Sequence, residues 1–215
     1  MNWGWIQNNL PDIASFLGQH VLLAVVPVLA ALVIALPLGY LVFRTGKAAN
    51  PILAVLGVIY SIPSLALFVA LPVVLGTRIL DPLNVAVALT IYSVALLVRS
   101  VVDGLRSVPA DVKQSASAVG FSQFGRLMKV ELPLAMPVVF AGLRVVTVSN
   151  IALVTVAVLV ASGGLGQLFL RGYNSIFYTP LIVGLVLTVA LALLADAIIV
   201  LIQRGTLPWA RGRRA

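Results

Sequence analysis

Hydrophobic residues fill this chain in five long blocks, at residues 20–43, 51–75, 84–102, 133–161 and 180–202, joined by short polar segments. About 20 consecutive apolar residues cross a bilayer core as a helix. Lipid offers no partner to open backbone groups, so each block is expected to be a helix rather than a strand. The fourth is long enough to tilt or to extend beyond the membrane.

One interruption is much longer than the others. Residues 109–132 read PADVKQSASAVGFSQFGRLMKVEL. Pro109 suits the first turn of a helix, where its missing N–H costs nothing. Gly120 suits the left-handed residue that ends that helix, and Ser122 can cap a second one running to about Leu132. Pro133 then opens the next span. Val112, Ala116 and Val119 are expected on one apolar face, and the small Ser115 and Ala116 would let a partner approach closely. A helical hairpin of this kind is either a docking element or an amphipathic hairpin lying on lipid.

Ahead of the first block, Trp3, Ile6, Leu10, Ile13 and Leu17 recur at helical spacing. They fit an in-plane helix at the membrane surface or a loosely ordered tail, with Pro11 counting against a long helix. No basic segment precedes an apolar core there, so no cleaved signal peptide is expected.

Composition narrows the class. Of 215 residues, 61% are hydrophobic and 9% charged, against about 25% charged in soluble domains. The expectation is one all-α membrane domain at 20–204, with an external segment at 1–19 and a basic tail at 205–215. The net charge of +8 does not point to nucleic acid, because the basic residues gather at block ends and in the polar loop. Arg44, Lys47, Arg106, Lys113, Arg126, Lys129, Arg204, Arg211, Arg213 and Arg214 fall on one side, and Arg78 and Arg171 on the other. The positive-inside rule then places the 109–132 loop and the C-terminus in the cytoplasm and the N-terminus outside. Cysteine is absent, which removes disulfides and thiolate metal sites.

Nothing in the pattern points to catalysis or to a bound cofactor or metal. His20 is the lone histidine, HExxH and GxSxG motifs are missing, and no strand precedes the GGLG of Gly163, Gly164 and Gly166. Those glycines fit a tight external turn. The charges Arg144 and Asp196 sit within apolar blocks at similar depth. Intramembrane charges are paired or line a cavity, so an Arg144–Asp196 pair is expected, with independent snorkelling to the interface as the alternative. Arg144, Thr147 and Thr155 share one face of the fourth helix, with Asn150 at its edge. The stripe fits a substrate path or interhelical hydrogen bonding. Small residues repeat every four positions at Ala31, Ala35 and Gly39, and at Gly184, Thr188, Ala192 and Asp196, which fits close helix packing within the subunit or between subunits. Ser61-Ile62-Pro63-Ser64 breaks the second block near its middle, as a hinge beside a pathway or a static kink.

The polar loop carries a resemblance. Gln114-Ser115-Ala116, then Gly120, then Val130, Glu131, Leu132 and Pro133 match the spacing of the cytoplasmic EAA loop of binding-protein-dependent ABC importer permeases. Gln114 and Ser115 depart from the family's Glu-Ala. The resemblance covers about residues 18–204 and is closest to permeases for glycine betaine, choline and related osmoprotectants. It rests on residues 60–68 (YSIPSLALF), 129–144 (KVELPLAMPVVFAGLR) and 161–172 (ASGGLGQLFLRG). It implies the five-span type I importer (MetI-like) fold and a non-catalytic permease subunit. It also implies a second permease, homodimeric or heterodimeric, an extracellular or periplasmic substrate-binding protein, and a partner ATPase that uses ATP and Mg. That ATPase would dock around Ala116 and Gly120, with Leu132 and Pro133 completing the coupling motif. Tyr60, Ser61, Pro63, Arg144, Thr147, Asn150, Thr155 and Asp196 are pathway or gating candidates. Tyr60, Phe68 and Tyr92 could offer aromatic faces to a quaternary ammonium. Import of methionine or another amino acid is the alternative within the class. An ion-coupled secondary transporter using Asp196 is the alternative outside it.

Overall fold

The computed structural model describes residues 1–160 and 163–209. Ala161, the expected end of the fourth span, and Arg211, Arg213 and Arg214 of the expected basic tail lie outside the described residues. Those described form helices and turns without strands. A short α1 (Trp3–Asn8) precedes α2 (Leu10–Arg44), followed by α3 (Ala49–Ser61), α4 (Ser64–Leu75) and α5 (Pro82–Arg106). The polar loop holds α6 (Ala110–Ala118) and α7 (Gln123–Arg126); α8 (Leu132–Ala157), α9 (Gly166–Asn174) and α10 (Tyr178–Thr206) complete the chain. Four helices are long and apolar enough to cross a membrane, and the bent pair α3–α4 makes a fifth candidate.

α5 is the centre of the bundle. Val85, Ala88, Leu89, Leu97, Val98, Val102 and Leu105 are fully buried along it, packed by α2 on one side and α8 on the other. The small residues Ala31 and Ala35 of α2 are fully buried, and a Cβ on Gly39 would lie 2.6 Å from Val101 Cβ. A Cβ on Gly104 of α5 would lie 2.9 Å from the Ala135 carbonyl oxygen of α8. The backbones meet there because a side chain is missing, as the close-packing rule for membrane helices requires.

Three helices differ in extent from the sequence expectation. α2 starts at Leu10 rather than His20, because Pro11 sits in its first turn, where proline is tolerated. Its added turns pack Ile13, Phe16 and Leu17 against Leu165, just before α9, and Leu168 of α9, with Trp5 and Ile6 of α1 alongside. The second block is two helices bent by 94° at Ile62–Pro63, where both residues take extended backbone. The second loop helix does not stop before Pro133. A π-helical turn, Leu127–Glu131, joins α7 to α8, and the Leu132 N–H donates to the Leu127 carbonyl. Wider i→i+5 spacing carries a helix across the register where proline has no N–H to give. Loop and span are therefore one continuous helix, residues 123–157.

Candidate functional site

At the polar loop, Gly120 takes φ 92°. The Phe121 N–H reaches back to the Ala116 carbonyl at 3.1 Å and the Gly120 N–H to that of Ser117 at 3.0 Å, a glycine-capped helix end. Ser122 Oγ accepts the Gly125 N–H at 3.1 Å and starts α7. Gln114, Ser115 and Gly120 are exposed, whereas Ala116 is buried. Val112 packs toward the spans and Ala116 is buried, but Val119 does not share their face. The helix ends at Ala118, and the turn leaves Val119 80% exposed; Phe124, further along the loop, is 68% exposed. An approaching partner would meet Gln114, Ser115, Val119 and Phe124, with Ala116 behind them. Leu132 and Pro133 open α8 and are half-buried.

Beneath the loop lies Glu131, which the sequence reading passed over. It is 4% exposed. Arg126 Nε donates to its Oε1 at 2.6 Å while Arg126 Nη1 donates to Ser117 Oγ at 2.7 Å. Lys113 Nζ stands 4.0 Å from its other oxygen, donates to the Leu105 carbonyl at 3.0 Å and sits 5.1 Å from the Phe43 ring centroid. The signal present in the sequence was a carboxylate opposite two cations within one loop.

Within the spans, Arg144 and Asp196 come together in a bidentate pair, Nε to Oδ1 at 2.6 Å and Nη2 to Oδ2 at 2.8 Å. The pair borders an open cleft of about 510 Å³ with Val145, Val148 and Ser149. The neighbouring polar candidates point elsewhere. Thr147 is buried and donates to the Leu143 carbonyl, and Thr155 donates to that of Ala152. Asn150 is buried and bonds across to Ser93 of α5, Nδ2 to Oγ at 3.0 Å. The stripe is thus divided among three environments, and Asn150 serves helix packing.

At the α3–α4 break, Tyr60 and Tyr92 meet edge to face with centroids 5.6 Å apart. The Tyr92 hydroxyl donates to the Ile62 carbonyl at 2.6 Å, and Ser61 Oγ donates to the Gly57 carbonyl at 2.9 Å. Pro63 leads into α4. Tyr60 is 38% exposed, whereas Tyr92 and Phe68 are buried. Of the three aromatic candidates, only Tyr60 reaches open space.

The far end of the bundle is held differently. His20 is fully buried. Its Nε2 lies 3.0 Å from the Ile151 carbonyl oxygen, so it donates there, and its Nδ1 accepts the Leu165 N–H at 3.1 Å. Those two bonds require one neutral tautomer. The GGLG turn closes over it with Gly163 at φ 115° and Gly164 at φ 77°. A Cβ on Gly164 would lie 3.3 Å from Nδ1. A lone histidine gave no hint of two hydrogen-bond partners so distant in sequence.

Comparison with known proteins is consistent with this architecture. Residues 27–207 match the family described as the binding-protein-dependent transport system inner membrane component. The glycine betaine/carnitine/choline transport system permease protein OpuCD of Bacillus subtilis is 34% identical over 191 residues, 88% of this chain and 82% of that protein. The osmoprotectant import permease protein OsmW of Salmonella typhimurium is 33% identical over 195 residues, 89% of this chain and 90% of that one. An inward-facing structure of the MetNI methionine ABC transporter superposes with a TM-score of 0.81 at 25% identity, covering 96% of this chain and 99% of that one. The chain is a multi-pass membrane protein with the MetI-like fold.

Proposed function

We propose that this chain, which belongs to the binding-protein-dependent transport system inner membrane component family, is the permease subunit of an ATP-driven importer for quaternary-ammonium osmoprotectants. Glycine betaine, choline, carnitine and proline betaine are the candidate solutes. The loop at 109–132 lies in the cytoplasm, where a separate ATPase docks on Gln114, Ser115, Val119 and Gly120 and consumes ATP and Mg. A second permease subunit completes the pathway, and an external binding protein delivers the solute. The broken α3–α4 span contributes Tyr60 and Ser61 to that pathway. Discontinuous membrane helices place backbone and side-chain groups beside a solute, and an exposed tyrosine face attracts a quaternary ammonium. The observation that carries this reading is the exposed glycine-turned loop set on a continuous helix, in a chain about one third identical to osmoprotectant permeases.

Amino-acid import is the second reading, favoured by the superposition on the methionine transporter. Uptake of labelled glycine betaine by cells lacking their own osmoprotectant importers, expressing the full transporter with and without this chain, separates the two. Uptake that needs this chain and is outcompeted by choline supports the proposal. Uptake of methionine but not betaine overturns the solute and keeps the permease.

A further inference from the structure

Glu131 occupies the any-residue position between Val130 and Leu132 of the loop motif, so the motif itself assigns it nothing. The structure places its carboxylate in a buried seat where four segments converge. Arg126 links it to α7 and, through Ser117, to α6. Lys113 of α6 links it to the last turn of α5 at Leu105 and to Phe43 at the end of α2. Glu131 itself is the last residue of the π-helical turn that runs into α8. α6 thus meets the rest of the chain through Val112, the buried Ala116 and this charged joint. Losing one partner of a buried charged cluster leaves the other uncompensated, so the joint moves as a unit or not at all. π turns also recur where helices serve function.

We propose that Glu131 is a positioning residue, the joint through which a displacement of α6 by the docked ATPase becomes a displacement of α8. The inference rests on the permease reading above. Apolar contact alone would let α6 slide over the π turn; Lys113 beside the carboxylate and Ser117 held by Arg126 make α6 drag that turn with it.

The test uses the whole transporter purified with its ATPase, and the chain's lack of cysteine makes single thiols clean reporters. A Val156→Cys thiol near the far end of α8, at a position 39% exposed, reports movement through its rate of labelling with and without ATP. A Ser115→Cys thiol on α6 reports docking through its protection by the ATPase. Glu131→Gln removes the charge and keeps the shape. The ATPase should remain bound and the Ser115→Cys thiol protected, while the ATP-dependent change at Val156→Cys falls by about tenfold, within the usual span of coupling between sites. Exchanging the charges, Arg126→Glu with Glu131→Arg, and removing the cation that would then be repelled, Lys113→Gln, should restore it.

An undiminished ATP response at Val156→Cys in Glu131→Gln overturns the proposal. So does loss of the ATPase from that variant, which would make Glu131 part of the docking surface alone, and so does a far end that ignores ATP in the otherwise unaltered chain. If Glu131→Gln fails to accumulate, the charge exchange decides: a restored response supports the joint, and an accumulating but unresponsive protein sinks it. Failure of both to accumulate makes Glu131 a folding residue and ends the proposal. A parent chain that retains no ATPase defeats the permease reading instead, whatever Glu131 does.

Discussion

The two ends of the bundle fasten their helices by opposite means. At the loop end, a buried carboxylate gathers Arg126 and Lys113, and the surface above it exposes Val119 and Phe124. At the other end, neutral His20 ties α2 to α8 and to the GGLG turn through two hydrogen bonds, with no charged group among those partners. A neutral bond in a dry site is insensitive to salt, whereas a charged joint whose cations reach the surface is screened. One end suits a fixed frame and the other a part that moves.

His20→Ala breaks the neutral end and should have the largest effect. It strands the Leu165 N–H and opens a cavity, together costing about 3 kcal/mol. Thermal unfolding in detergent should show the loss, equally at low and high salt. A loss that vanishes in high salt would erase the contrast between the ends. Arg144→Ala should come next, because it leaves Asp196 unpaired within a span. Membrane accumulation should fall, and Asp196→Ala in the same chain should restore part of it. No rescue would mean that the two charges contribute independently.

At the loop end, Arg126→Gln should cost about 1 kcal/mol at low ionic strength and less as salt rises, since the side chain is partly exposed. Gly120→Ala should also cost about 1 kcal/mol, from the left-handed backbone alone, because open space surrounds that position. Its effect should be confined to the loop, read as faster hydrogen exchange over α6. The smallest effect sharpens the surface itself. Val119→Cys should react with a water-soluble maleimide and Ala116→Cys should not, with folding unchanged in both. Equal reactivity would mean that α6 presents its other face.

Much of the frame was readable because bilayer physics acts on long blocks. Residues 84–102 form the heart of α5, and the Ser61–Ser64 break is where the helix bends. Arg144 and Asp196 could be matched because two opposite charges at one depth in apolar helices have few other partners. Helix extents were less readable. Pro11 and Pro133 both look like breaks, yet one opens a helix and the other is passed by a π turn, and only the hydrogen-bond register distinguishes these outcomes. His20 and Glu131 were not readable as sites because their partners are set by tertiary packing. Gln19 and His20 meet Gly164 and Leu165 across 145 positions of sequence. Val119 illustrates a smaller failure, in which helical periodicity was carried one residue beyond the helix that generates it.

The uninterrupted helix over residues 123–157 has a geometric consequence. At 1.5 Å per residue it is a shaft about 50 Å long, with its short arm at the loop and its long arm through the bundle. Pivoted at Glu131, a swing of about 10° would carry its far tip roughly 7 Å sideways, given the same rise per residue. A few ångströms of push at the short arm would thus be geared up to the width of a small solute.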